Sequence, residues 1–463
     1  MGITVFTILD KIACYLFIAL FFWGATCKFG RKNEFNDDFL SLDSMKSARG
    51  LAAFGVILHH ISQEDFFQMN GILSPFVDAG VYFVAIFFFC SGYGLLKSYD
   101  SKKDYLKGFI SKRIVKSIVV PFYINVIIYG IFNFLAKYPT AKERWIGNFL
   151  GITMMNAYAW FPIVLALLYL VFFLSFRFIK NRYVAFGVIF AFIIAIGIGA
   201  MVFGHFGWWA GPENWWMSED ESFWENGVKW YMDEKVFWFQ GEWWVNTAPA
   251  FLAGLLFANF EKPIVEFFKK RYALRFHILL VLTAILFGLS SFGQSFFGYW
   301  TEFNGHGPDI GNKIATYFCQ IPLLFVFPVT FFVFTMKYKV DNPVTRFFGK
   351  YSLHTYLMNL MAISLLRFVE FSEEFDFAPI KIGDVKNNLF VYAIGVIILS
   401  VLLGVMEQKI TERVQDLLFA ERKPIEVNRT WSLIDDDPKA SKHAACVREE
   451  VVKSDSKPTE KSK

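Results

Sequence analysis

Apolar runs nearly free of charge, of the length that crosses a hydrocarbon core, recur at about residues 3–24, 48–66, 76–97, 114–136, 157–177, 184–204, 244–260, 273–297, 314–336, 350–369 and 389–410. The pattern predicts an all-α fold, a polytopic membrane helix bundle of about eleven transmembrane helices. The polar loops between the runs alternate in charge. Lysine and arginine concentrate in "CKFGRKNEFNDDFLSLDSMKSAR", "KSYDSKKDYLKGFISKR", "RFIKNR", "EKPIVEFFKKR" and "KYKVDNPVTRFFGK". Among their alternates, "SQEDFFQMNGILSP" and "EFSEEFDF" are acidic or nearly free of lysine. Basic loops are retained in the cytoplasm, so the alternation predicts an N-terminus outside and a C-terminus inside. Three regions follow: residues 1–42, a first helix with its basic loop; residues 43–420, the membrane domain; and residues 421–463, a charged tail poor in aromatics and expected to be disordered.

Composition reinforces this picture. Of 463 residues, 55% are hydrophobic and 58 are phenylalanine, more apolar surface than a soluble domain of this length can bury. The net charge of +5 belongs to the inner loops and reports topology, so nucleic acid is not implied. Cys14, Cys27, Cys90, Cys319 and Cys446 are scattered singly, which supports neither a disulfide framework nor a metal site. "TVFTILDKIACYLFIALFFWG" lacks a basic leader, and Lys28, Arg31 and Lys32 follow it, so it reads as a retained span rather than a signal peptide. "MGITVF" has Phe6 where a myristoylation motif needs Ser or Thr. "NRT" at Asn428 has the form of a glycosylation sequon, but it falls on the cytoplasmic side. The longest outer loop, about Gly204 to Glu242, together with the two tryptophans that follow it, holds nine of the fourteen tryptophans. It reads either as an interfacial aromatic belt or as a platform on which sugar rings stack.

Chemistry concentrates in "RGLAAFGVILHH", Arg49 to His60. Eleven helical residues advance about 1100°, some 20° past three turns, and rise roughly 16 Å. Arg49 and His60 therefore share a face, with Arg49 at the cytoplasmic mouth and His60 more than halfway across. An ionisable group at that depth is costly unless it faces the protein interior or a water-filled path. A histidine there can take a proton from a hydroxyl attacking a carbonyl and return it to the leaving group; the plainer alternative is a polar pair bonding between helices. Glu64, four residues on, is the expected orienting carboxylate, or else an ordinary loop acid. His59 points about 100° away and reads as a packing or substrate-lining residue. Lys112, Arg113 and Lys116 in "SKRIVKSIVVPFY" join Arg49 in a cationic cluster suited to a multiply anionic donor, although positive-inside anchoring explains the two lysines equally well. His354 reads as a satisfied interhelical donor, and His205, His277 and His306 receive no role.

These residues resemble the signature of the acyltransferase 3 family of integral-membrane O-acyltransferases, an arginine followed by ten residues and a histidine, here Arg49 and His60. Three further stretches resemble the family in order. "FFFCSGYGL" carries Ser91, Gly92 and Tyr93. "KRIVKSIVVPFY" carries Arg113 and Pro121. "FGKYSLHTYLMN" carries Gly349, Ser352, Tyr356 and Leu357. The chain departs from the family pattern at Lys46, where an aspartate is common, at Lys116 in place of a second arginine, and at Asn359, where a histidine often follows Tyr-Leu. The first span lies outside the family's usual ten-helix core. The resemblance implies transfer of an acyl group, most often acetyl, from cytoplasmic acyl-CoA to a hydroxyl of a sugar, cell-surface glycan or lipid-linked acceptor in a bacterial cell membrane. Acyl-CoA is the donor substrate, and no metal is expected. In this reading His60 is the general base with Glu64, and Arg49, Arg113, Lys112 and Lys116 position the donor. The rival is a proton-coupled transporter or flippase, for which symmetrically interrupted helices would be expected; the chain shows no internal repeat. A catalytically inactive sensor of the same fold is the third possibility.

Overall fold

The computed structural model describes residues 5–135, 142–152, 154–209, 247–297, 310–371 and 389–419. The described residues up to Asp416 belong to one compact unit. The tryptophan-rich stretch over 210–246, His306, Asn428 and the tail after 420 lie outside the described residues, as does the side chain of His205.

Each apolar run becomes a helix. In chain order the helices are α1 (Val5–Leu20), α2 (Leu42–Ser62), the short α3 (Asp65–Asn70), α4 (Gly80–Ser101), a π-helix (Ile110–Val119) continuing into α5 (Val120–Leu135), α6 (Lys142–Phe149), α7 (Trp160–Phe178), α8 (Arg182–Trp209), α9 (Pro249–Asn259), α10 (Glu261–Lys270), α11 (Tyr272–Phe297), α12 (Ile310–Thr335), α13 (Pro343–Lys350), α14 (Ser352–Phe371) and α15 (Leu389–Phe419). The chain is a polytopic α-helical membrane bundle. Among the described residues, seven helices are long and apolar enough to cross a membrane: α4, the π-helix with α5, α7, α8, α11, α12 and α15. The other four predicted spans are helices as well. Of these, α1 has 16 residues and α9 has 11, and α2 begins among Asp43, Lys46 and Arg49. Outward faces are greasy, as on α11, where Leu274, Ile278, Val281 and Ile285 are exposed as lipid-facing side chains should be.

Close helix contacts rest on small residues. A Cβ on Gly50 would lie 1.8 Å from the Thr345 carbonyl oxygen, and one on Gly349 would lie 1.9 Å from that of Lys46, so α2 and α13 touch backbone to backbone. Gly92 against Phe251 and Gly254 against Phe89 join α4 and α9 in the same way. Asn342 starts α13 through a capping box with Thr345, and Pro343 follows at the first turn. Asp341, just before, accepts from Ser47 of α2 at 2.7 Å and from Arg346 at 2.6 Å. The Arg346 guanidinium, aided by Ser47, holds the Asp341 carboxyl down at about 2.

The sequence predicted a single helix from residue 114. Instead, residues 110–119 form a π-helix, closed by Val120 N–H donating to the Val115 carbonyl. Pro121 supplies the reason: it has no N–H, and its ring clashes with the carbonyl four residues back in α geometry, a conflict that a wider turn relieves. Gly108, at φ +73°, makes the preceding turn.

The all-α expectation needs one addition. Residues 21–41 run as a strap across the residues that join α12 to α13. Strand β1 (Thr26–Cys27) pairs antiparallel with β2 (Tyr338–Lys339), Thr26 opposite Lys339. Lys337 donates from Nζ to the carbonyls of Arg31 and Glu34, each at 2.5 Å, and lies over the Phe35 ring at 4.1 Å. Asn342 donates to the carbonyls of Phe21 and Trp23, and Phe21 stacks on Phe54 of α2 at 3.5 Å.

Candidate active site

His60 sits in the last turn of α2 at 7% exposure, held from two directions. Its Nδ1 lies 2.6 Å from Oδ1 of Asn359 in α14. The Asn359 amide cannot turn round, because its Nδ2 donates to Ser400 Oγ at 3.0 Å and Ser400 in turn donates to the Val396 carbonyl at 2.7 Å. An amide oxygen only accepts, so Nδ1 of the neutral ring carries the proton and Nε2 keeps its lone pair. On the ring's face, Tyr158 stacks at 3.8 Å and 7°. Tyr356, from the late motif, lies 6.4 Å away by ring centroid and packs edge-on against Phe161.

The helix pairing explains how His60 and Asn359 meet. Gly50 lies against α13 beside Gly349, and α13 passes through Tyr351 into α14. Both chains then advance ten residues, to His60 and to Asn359, which bond to each other. The two helices therefore run in parallel and in step, and the glycine contact sets the register of the imidazole contact.

On Nδ1 of His60 stands Asn359 rather than Glu64. The helix ends at Ser62 and Glu64 has extended backbone angles at the start of α3, so the four-residue helical spacing does not carry through. The side chain is buried at 7%. His59 packs as expected: its Nδ1 donates to the Phe76 carbonyl at 2.9 Å and its ring covers Gly80. His354 is an interhelical donor, its Nδ1 3.1 Å from Oε2 of Glu407 in α15. His277 bonds the Ala273 carbonyl within its own helix.

About 16 Å back along α2, Arg49 is half-buried at the other end of the helix. Arg49, Arg113 and Ser91 all act electrostatically on Tyr169 of α7, while the Ser91 hydroxyl donates to the Phe87 carbonyl at 2.9 Å. The Arg113 guanidinium also stands over the Tyr105 ring at 5.6 Å. The structure thus gathers Arg49, Arg113 and Ser91 around one tyrosine. Lys112 is exposed and Lys116 half-buried on the same π-helix, and the Lys116 carbonyl accepts from Gln415 of α15. Successive helical positions diverge by about 100°, so the neighbours of Ser91 face elsewhere. Gly92 lets α9 approach, and the Tyr93 hydroxyl donates to Glu261 at 2.9 Å, beside Lys97. Ser352 donates to the Gly349 carbonyl, closing the turn between α13 and α14.

Sequence reasoning passed over Asn359 as a partner, and over Ser400, Tyr158, Asn125, Asn156 and Glu407. Their common signal is a lone polar residue in an apolar run, as in "YINVIIYG" and "ILSVLLGVMEQ"; such groups are costly unless paired inside the bundle.

Chemically the arrangement offers a buried imidazole in the tautomer that can accept a proton at Nε2, with Arg49 about 16 Å back along the same helix. A family model described as an acyltransferase domain matches residues 42–406. No curated protein and no solved structure matches the chain.

Proposed function

The chain belongs to the acyltransferase domain family over residues 42–406 and is a membrane-embedded acyltransferase, and we propose that it moves an acyl group, acetyl by preference, from cytoplasmic acyl-CoA to an acceptor hydroxyl. The acceptor is a cell-surface glycan or a related lipid-linked sugar. The observation that carries this reading is the His60–Asn359 bond, which leaves Nε2 as the basic atom.

In the proposed reaction Nε2 removes the proton from the acceptor hydroxyl as its oxygen attacks the thioester carbonyl. The carbon–sulfur bond breaks, and the imidazolium returns that proton to the departing thiolate, so no proton is left over. Asn359, through Ser400, keeps the ring in the productive tautomer. Arg49 and Arg113 grip donor phosphates at the opposite end of α2, where guanidinium groups suit bidentate contacts, with Lys112 and Lys116 adding charge. This use of the two ends fits an N-terminus outside and a C-terminus inside.

Purified protein in vesicles, given radiolabelled acetyl-CoA and a membrane glycan fraction, is expected to yield base-labile label. His60→Ala should abolish transfer while still inserting and binding acetyl-CoA. Substantial turnover by that variant would remove His60 as the base, and glycan movement without acetyl-CoA consumption would favour the transporter.

A further inference from the structure

The acyl-transfer scheme leaves unused a buried group of polar residues on the far side of Tyr158. Glu407 of α15 is fully buried and His354 is 7% exposed. Glu407 Oε2 lies 3.1 Å from His354 Nδ1, and its Oε1 accepts from Asn125 Nδ2 at 3.0 Å. The second Asn125 N–H faces Met358 Sδ at 3.6 Å, and Asn125 Oδ1 accepts from Asn156 Nδ2 at 2.9 Å. Asn156 Nδ2 also donates to the Leu357 carbonyl at 2.8 Å. Both amide protons of Asn156 are then committed, so its Oδ1 can only accept. It does so from the Tyr158 backbone N–H at 3.0 Å, capping the 3-10 turn Ala157–Ala159 from which the Tyr158 ring reaches His60.

The direction of the amide bonds in this row follows from the acceptor at its end. Oε1 of Glu407 accepts from Asn125, which needs the N–H side of that amide; this turns the Asn125 oxygen toward Asn156, and the Asn156 oxygen toward Tyr158. In a low-dielectric interior such a row is rigid when every member is satisfied and costly when one is removed. Leu357, two residues before Asn359, ties the row to α14: its carbonyl accepts from Asn156 and also from the Tyr129 hydroxyl at 3.1 Å. His60 is therefore fixed at its edge by Asn359 and across its face by Tyr158, and both supports are anchored on α14.

We propose that Glu407, Asn125 and Asn156 are positioning residues: together they hold the Tyr158 ring flat against His60 and so clamp the imidazole of the catalytic base. The catalytic consequence rests on the reading of His60 as that base; the clamp itself is a property of the fold. Glu407 acts here through its acceptor oxygens, not by passing a proton.

The test combines steady-state acetyl transfer with the rate at which diethylpyrocarbonate modifies His60, followed by peptide mass spectrometry. Asn156→Ala and Tyr158→Ala should each lower kcat at least tenfold, in line with the large cost of an ångström of misplacement. KM for acetyl-CoA should stay within twofold, and His60 modification should speed up severalfold. The double variant should be no worse than Tyr158→Ala, because both act through one ring. Glu407→Gln should stay within about threefold of wild type, since its amide oxygen still accepts from Asn125, whereas Glu407→Leu should resemble Asn156→Ala. Multiplied losses in the double variant, or unchanged His60 reactivity in the single ones, would overturn the clamp. So would an inactive Glu407→Gln with His60 still protected, which would make Glu407 a proton carrier. A wild-type chain that consumes no acetyl-CoA would sink the functional reading alone, since the reactivity pattern still decides the clamp.

Discussion

Replacing Gly349 with alanine probes the link between helix packing and His60, the proposed base. The new Cβ would stand 1.9 Å from the Lys46 carbonyl oxygen, where real Cβ contacts essentially never fall below 3.0 Å. The obstacle is backbone, which cannot swing aside as a side chain would, so α2 and α13 must part by about 1 Å at this point. Ten residues along α2, about 15 Å away, and ten residues along the other segment, past Tyr351 into α14, the His60–Asn359 bond is 2.6 Å long. If the opening carries along the parallel pair, the bond lengthens to roughly 3.6 Å, outside hydrogen-bonding range. The imidazole then loses the acceptor that fixes its tautomer. Overpacking of this kind costs about 1–3 kcal/mol, and kcat is expected to fall at least tenfold by misplacement of the base. Gly94→Ala in α4 is the control, because nothing lies within 4 Å of its added Cβ. The assay follows apparent unfolding of detergent-purified protein alongside acetyl transfer. A Gly349→Ala protein with the unfolding midpoint and kcat of Gly94→Ala would refute the argument that the glycine contact sets the register of the site.

Arg49→Gln and Arg113→Gln should each raise KM for acetyl-CoA about tenfold, the loss of a charged hydrogen bond, with kcat changed much less; initial rates across donor concentration check this, and unchanged KM in both would exclude the arginine cluster as the donor grip. Asp341 is held down to about 2, chiefly by Arg346. Its ionised form therefore contributes stability that is complete above the ordinary aspartate value near 3.9 and fades as pH falls through about 2. Asp341→Asn should lower stability at pH 7 by about 1–2 kcal/mol, discounted because Arg346 is half exposed, and the gap from wild type should close as pH drops from about 4 toward 2. Lys337→Ala removes the donor to the carbonyls of Arg31 and Glu34; trypsin should then cut near Arg31 and Lys32 faster than in wild type while cutting elsewhere at the same rate.

Some of the site was legible because it depends on local geometry. Eleven residues of helix put Arg49 and His60 on one face whatever surrounds them, and lone polar residues in apolar runs marked where interior pairing had to occur. The helical spacing from His60 to Glu64 is interrupted for an equally local reason: a helix end cannot be located to a single residue from composition, and here α2 stops at Ser62. The π-helix escaped notice because hydrophobic periodicity over ten residues does not separate turns of slightly different width, although Pro121 marked the spot.

By itself the sequence determined a membrane bundle, its helical runs, the family, and a deep histidine displaced along one helix face from a cation. These follow from hydropathy, from helical repeat and from motifs held within short segments. Which side chain meets His60 was decided only by tertiary structure, because Asn359 lies 299 residues away and periodicity tells which face of a helix is buried but not against which helix. The stepwise pairing of Gly50 with Gly349, the strap of residues 21–41 across β2, and the row from Glu407 to Tyr158 share that origin. Each is a contact between segments remote in the chain, fixed by where small residues let backbones approach and by the need of every buried polar group to find a partner.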